Sequence, residues 1–278
     1  MSLAIRRNSV LPGFGLTLGY TLVYLGVIVL LPLAVLILRA SSLGASGLWH
    51  IATEPRIFAA LKTSFSLALA AAAINVVFGG VVAWVLSRYE FPGRRLLDAS
   101  VDLPFALPTA VAGISLAAIY APNGLIGSLI APLGWKIAYT PLGIVVALVF
   151  IGLPFIVRTV QPVIAELELD VEEASATLGA TRLQTLGRVV LPTLTPALLT
   201  GFALAFARGV GEYGSVIFIA GNLPFVSEIA PLLIVVKLEQ FDYAGATAIA
   251  TLMLAASFLI LLTINLIQAW SRRRFGHV

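Results

Sequence analysis

Long uncharged stretches constrain this chain more than any other feature. They run from Asn8 to Leu38, Thr63 to Ser87, Leu103 to Trp135, Ile137 to Val157, Val189 to about Ala220, and Tyr243 to Ser271. Only the fifth is interrupted by charge, at Arg208 and Glu212. A helix needs about 20 apolar residues to cross a hydrocarbon core of about 30 Å, and each stretch is long enough. Strands with open edges cannot take that role, because lipid offers their amides no partner. The Leu103 to Trp135 stretch exceeds one span, and Pro122-Asn123-Gly124 marks a turn within it. The pattern predicts an all-α polytopic bundle of six transmembrane helices. Composition agrees: 60% of the 278 residues are apolar and 11% are charged, against about 45–50% and about 25% in soluble domains. A soluble enzyme is excluded.

Residue counts exclude further chemistry. The chain has no Cys, so disulfides, thiolate metal sites and thiol nucleophiles are absent. Its two histidines, His50 and His277, are far apart, which argues against a His-rich metal site. Neither suits the base that a serine nucleophile would need. A net charge of +4 does not call for nucleic acid, because basic residues of membrane proteins collect in cytoplasmic loops.

Arg6-Arg7 precede the first stretch as in a secretory signal. The apolar run is longer than a signal core of about 7–15 residues, so the segment is read as a retained span. Six spans put both termini on one side. Arg6, Arg7, Arg88, Arg94, Arg95, Arg158, Arg182, Arg188, Arg272, Arg273 and Arg274 then share that side. Arg39, Arg56, Lys62, Lys136 and Lys237 lie opposite. The basic excess marks the cytoplasmic side, so both termini are expected inside the cell.

The acids do not follow this pattern. Glu166, Glu168, Asp170, Glu172 and Glu173 crowd the loop between the fourth and fifth spans. Asp170 and Glu173 have capping-box spacing, which predicts a helix start. Acids in the first turn also suit the helix dipole. Gly179 predicts the stop, and Thr181 with Gln184 predicts a second capped helix running toward Pro192. Val171, Ala174 and Leu178 fall on one face of the short helix. From spacing alone, such a hairpin either plugs another protein's groove or packs on its own bundle.

One motif favours the first. Glu173-Ala174-Ser175, three residues, Gly179, nine residues, Val189, one residue, Leu191-Pro192 resembles the EAA signature of ABC importer permeases. Ser175 stands where Ala is usual, and Val189 where Ile is usual. Asp102 to Gly113 (DLPFALPTAVAG) resembles the start of span three in sulfate and molybdate permeases. Gly201 to Ser215 (GFALAFARGVGEYGS) and Ala220-Gly221-Asn222 are similar to their span five. The stretch from Glu228 through Lys237 and Tyr243 is similar to the T-type permease of the sulfate/thiosulfate branch. The likeness covers about Phe65 to Arg274.

The resemblance implies one permease domain over 1–278, with its core at about 60–270. The first span and outer loop lie in 1–58, and the coupling loop at 166–192. It implies that Glu173, Ala174, Ser175, Leu178 and Gly179 form a coupling helix that docks in a cleft of an ATPase subunit. Implied partners are two ATP-binding subunits, a second, similar permease subunit, a periplasmic sulfate-binding protein and the lipid bilayer. The implied role is uptake of sulfate or thiosulfate across a bacterial inner membrane. Molybdate or tungstate is the alternative within the family, and an ion-coupled secondary transporter the alternative outside it. The chain itself is not expected to be an enzyme or to hold a cofactor. None of Lys62, Lys136 and Lys237 sits in a phosphate-cradling G-x-x-x-x-G-K-[ST] loop, so ATP would bind the partner.

Arg208 and Glu212 are the opposite charges placed within a span. Intramembrane charges are costly and usually functional. At i, i+4 the two can pair, either locking span five against a neighbour or presenting Arg208 to a passing dianion. Tyr213 and Ser215 would add neutral donors, and Gly209, Gly211 and Gly214 would permit close backbone approach. Pro104, Pro108, Pro154 and Pro196 are candidate kinks. Asp98 and Asp102 flank the start of span three, and the sequence gives them no role.

Overall fold

A computed structural model describes residues 14–275, with side chains as far as 269. Arg6, Arg7, His277 and the start of the first stretch at Asn8 lie outside the described residues, as do the side chains of Ser271 to Arg274. Among the described residues there is no strand. In chain order the helices are α1 (Phe14–Ser41), α2 (Gly44–Thr53), α3 (Pro55–Arg88), α4 (Arg94–Val101), α5 (Leu103–Ala106) and α6 (Thr109–Tyr120). Next come α7 (Gly127–Ile130), α8 (Pro141–Glu166), α9 (Leu169–Thr177), α10 (Arg182–Val210), α11 (Val216–Ile219), α12 (Ala230–Glu239) and α13 (Tyr243–Phe275). Helices α1, α3, α8, α10 and α13 are each long and apolar enough to cross a membrane.

The third uncharged stretch is not one long helix. A proline disfavours helical backbone in the residue before it, and Leu107, ahead of Pro108, is extended (φ −83°, ψ 135°). The stretch is therefore jointed into α5 and α6. The 12 residues of α6 reach only about 18 Å at about 1.5 Å per residue. Pro104 falls in the first turn of α5, where a missing N–H costs little. Pro154 and Pro196 lie inside α8 and α10, and so does Pro162 in α8. The fifth span starts earlier than its apolar run, at Arg182, and carries a π turn at Leu186–Val190.

The core sits where α3, α8 and α10 pack together. Their contact faces are built from small residues: Ala68, Ala71, Ala72, Gly79 and Ala83 on α3, Gly152 on α8, Ala197, Gly201 and Ala205 on α10. Lipid tails are as apolar as Leu, so helices associate there mainly through close packing, which small residues allow. Ile156 of α8 is the knob between the other two. It is fully buried. A Cβ at Gly79 would lie 3.1 Å from its side chain, and one at Gly201 3.0 Å from it. By contrast α1 buries only Ala40 and forms the periphery.

Helix α6 packs with equal closeness on the turn ahead of α11. A Cβ on Gly113 would stand 2.3 Å from the Ser215 carbonyl oxygen. A backbone cannot yield like a side-chain tip. Gly113→Ala should destabilise the protein by about 1–3 kcal/mol through overpacking, seen as a lower Tm in detergent. Gly211→Ala, with nothing within 4 Å of the added methyl, should leave Tm unchanged.

Candidate functional site

The hairpin of α9 and α10 projects from the end of the bundle where α3 and α8 stop. Its turn chemistry follows the sequence at the second helix but not at the first. The residue preceding α9 is Glu168, in extended conformation and without a side-chain cap. The helix starts one residue ahead of Asp170, so Asp170 and Glu172 lie inside the first turn. The expected Asp170–Glu173 box does not form, and the acids act on the exposed N–H groups as dipole partners instead. The stop is as expected: Gly179 has φ +81°, a left-handed conformation that costs a glycine little. The Gly179 N–H donates to the Ala176 carbonyl at 2.9 Å, and that of Ala180 to Ser175 at 3.1 Å. The Thr181–Gln184 capping box is formed in both directions.

Two side-chain ties fix the hairpin to the bundle and to itself. Arg88, the last residue of α3, donates through Nη2 to Glu172 at 2.7 Å and to the Leu167 carbonyl at 3.0 Å. The Ser175 and Thr185 hydroxyls are 2.7 Å apart and join α9 to α10. Glu173, Ala174, Leu178 and Gly179 are exposed. Leu178 is 89% exposed and Leu183 81%. The expected face of Val171, Ala174 and Leu178 thus points away from the protein's own core. Ser175 faces inward.

The second group of predicted residues lies about 30 Å away. Gly209 packs on Ala68 of α3, some twenty helical residues from Arg88 at about 1.5 Å each. Arg208 and Glu212 do pair, but not along one helix face. Helix α10 ends at Val210, and Glu212 sits in the turn beyond. Its carboxylate is buried. Oε2 meets Arg208, while Oε1 accepts the Ser215 N–H and hydroxyl, both at 2.9 Å. Ser215 is fully buried, so its hydroxyl is spent on Glu212 rather than offered to a path. Arg208 and Tyr213 remain partly exposed. Of the three glycines, Gly214 makes the close approach, since a Cβ there would stand 2.2 Å from Thr109 Oγ1. Gly209 makes ordinary contact, and Gly211 faces open space.

Three ionic sites escaped the sequence. Arg158 of α8 donates Nε to Asp102 Oδ1 at 2.8 Å and Nη2 to its Oδ2 at 2.6 Å. Its Nη1 reaches Asp98 Oδ1 at 2.7 Å, and its Nη2 the Asp98 carbonyl at 2.7 Å. Gln161 completes the cluster, its amide donating to Asp98 at 3.0 Å. At the other end of the bundle, Arg56 grips the buried carboxylate of Glu228 with two bonds of 2.7 and 2.9 Å. Lys237 pairs with Asp242 at 3.0 Å. The partners are far apart in sequence in the first two cases. Only the recurrence of opposite charge near span ends signals them.

These features define a polytopic α-helical membrane protein that offers one short exposed helix beyond the bundle. The chain belongs to the family of inner membrane components of binding-protein-dependent transport systems, which matches residues 75–277. It is 51% identical over 276 residues to the sulfate transport system permease protein CysT of Salmonella typhimurium, covering 99% of this chain and 100% of that one. The CysT protein of Escherichia coli is 50% identical over 275 residues, covering 99% of each. Among solved structures, a bacterial ABC transporter that imports the acidic polysaccharide alginate shares the fold. Its TM-score is 0.74 at 15% identity, covering 93% of this chain and 94% of the other. The complex of such a transporter with an alginate pentasaccharide-bound periplasmic protein gives TM-score 0.74 at 16% identity, covering 95% of each chain. The expected all-α importer-permease fold thus stands; five helices are long and apolar enough to span, and the expected third span is the jointed α5–α6 segment.

Hydrogen bonding by Gln161, then by Arg158, holds the Asp98 carboxyl below its usual value of 3.8. A carboxylate with a depressed pKa contributes stability that is present above 3.8 and lost as pH falls through the lowered value. Asp98→Asn should therefore lower Tm at pH 7. The difference from the parent should close on acidification below the normal aspartate range. Thermal unfolding of both proteins across pH checks the sign.

Proposed function

We propose that the protein is a sulfate-importing permease subunit, driven by ATP hydrolysis on two separate subunits that grip the α9 hairpin. The observation that carries the reading is the helix end around Leu178. It leaves an apolar side chain almost wholly exposed, beside the exposed Glu173, on a segment otherwise pinned by Arg88 and Thr185. A face that is rigidly presented and unfilled suits a groove on a partner. Sulfate is proposed from the names of the relatives. Both termini and the hairpin then lie in the cytoplasm, consistent with the basic residues around them.

Energetics require a motor. Each negative charge moved into an inside-negative cell costs about 2.3 kcal/mol per 100 mV, so a dianion costs about twice that. Ion coupling within this chain would call for a free acid in mid-membrane, and Glu212 is already bound by Arg208 and Ser215. A second permease subunit similar to this one completes the pore, and a periplasmic binding protein delivers the anion. Selectivity against thiosulfate, molybdate and tungstate resides mainly with that binding protein. In this reading the whole chain, 1–278, acts as one domain. Arg208 and Tyr213 border the anion's path, with Glu212 and Ser215 holding Arg208 in place.

The test is reconstitution with the ATPase, sibling and binding-protein subunits, followed by labelled sulfate uptake. Glu173→Lys and Leu178→Asp should each insert normally and abolish ATP-dependent uptake. Undiminished uptake in both would refute the docking role. Uptake of molybdate in preference to sulfate would move the substrate to the alternative oxyanion. Arg208→Ala should assemble and lose uptake if Arg208 meets the anion. Loss of assembly would instead make the pair a lock.

A further inference from the structure

We propose that Arg158 is a positioning residue that transmits motion of the docking helix to the third span. The inference rests on the driven-permease reading above. Helix α8 runs directly into α9 through Leu167 and Glu168 alone, so a pull on α9 reaches the last turns of α8 along the chain, as it reaches the end of α3 through Arg88 and Glu172. Arg158 sits in those turns, about 13 Å from Leu167 at about 1.5 Å per residue. It is the place where α8 holds the segment that precedes α6.

The grip is unusually complete. A bidentate pair fixes both orientation and distance, and Arg158 makes one with Asp102 at 2.6 and 2.8 Å. It holds Asp98 one helical turn earlier, by side chain and by backbone carbonyl. Phe105 packs edge-to-face on Phe155, with ring centroids 5.2 Å apart. Asp98, Asp102 and Phe105 thus bind three successive turns of α4 and α5 to one stretch of α8.

What is gripped is jointed. The α4–α5 segment breaks at Asp102 and again at Leu107–Pro108. Beyond the second joint, α6 presses on the Ser215 backbone through Gly113, and Ser215 is bonded to Glu212, the partner of Arg208. A continuous set of contacts therefore leads from α9 through Arg158 to the Arg208–Glu212 pair at the end of the fifth span. The side chains of Arg158, Asp98 and Asp102 are 32%, 42% and 49% exposed, so replacing Arg158 leaves no bare buried charge and its variants remain able to fold.

The experiment compares Arg158→Ala, Arg158→Lys and the exchange Arg158→Asp with Asp102→Arg in the reconstituted complex. Sulfate uptake and ATP hydrolysis are read together. Arg158→Ala should assemble and hydrolyse ATP, yet move about ten-fold less sulfate per ATP. Lys should restore part of the ratio, and the exchange more of it than either single change. A static strut would lower assembly, uptake and hydrolysis together, leave the ratio unmoved, and overturn the proposal. So would an unchanged ratio in Arg158→Ala. A second readout needs no substrate. The chain has no native Cys, so spin labels at Ser100→Cys and Thr177→Cys report one distance. That distance should hold through the nucleotide cycle with Arg158 present and spread in Arg158→Ala; equal behaviour of the two overturns the clamp. A wild-type complex that hydrolyses ATP without moving sulfate would refute the substrate reading alone, and the label distances then decide on Arg158.

Discussion

The structure depends on how closely α3, α8 and α10 approach one another. In lipid no water is released when apolar side chains meet, so a bundle must be held by contact itself. Ile156 supplies that contact by seating against Gly79 on one side and Gly201 on the other. Neither glycine is needed for an unusual backbone angle; each is needed because a methyl group would occupy the space Ile156 fills. With this centre fixed, both ends of all three helices are placed. One end carries the α9 hairpin and the Arg158 cluster. The other carries Arg56–Glu228 and, a few turns inward, Arg208–Glu212.

The division of forces follows from this arrangement. Apolar packing makes the middle and ionic pairs tie the ends. Ion pairs partly open to water are weak ties, of about 0–1 kcal/mol when exposed, but they are directional. Apolar packing is firm and lacks direction except through shape. A bundle built in this way is held more firmly at its centre than at its ends. The buried Glu228 is the exception. Its carboxylate lies almost wholly out of water, and its loss of Arg56 would leave an uncompensated charge. That pair behaves as a fixed anchor.

Much of the fold was legible because its signals are local. An uncharged run long enough to span, a glycine at a helix stop, and a Thr–Gln capping box each depend on a few neighbouring residues, and the helices and the hairpin follow them. The first capping box failed because Asp170 has two uses near a helix start, as a cap or as a first-turn dipole partner, and spacing does not separate them. The third stretch carries its own break signals, and the candidate kink at Pro108 is a full joint because the extended Leu107 ahead of it ends α5. Asp98, Asp102 and Glu228 were passed over for a different reason. Their partners are brought near only by packing, and a carboxylate next to a span looks solvated until the cation facing it is known. The Arg208–Glu212 pair was found, but through an i, i+4 geometry that the end of α10 at Val210 replaces with a turn.

That replacement bears on mechanism. Had Glu212 continued the helix, the pair would have stiffened α10 alone. In the turn, Glu212 binds Arg208 on one side and the Ser215 N–H and hydroxyl on the other. It therefore joins the end of the fifth span to the backbone against which α6 is packed. Neutralising Glu212 would leave Arg208 without its counter-ion and loosen that turn at once, so charge and backbone position at this depth are not independent. On the reading in which an anion passes Arg208, it would compete for the same guanidinium that orders the turn. The charge on Arg208 and the packing of α6 are thereby linked by one carboxylate, and α6 is the element that the Arg158 clamp reaches from the hairpin side.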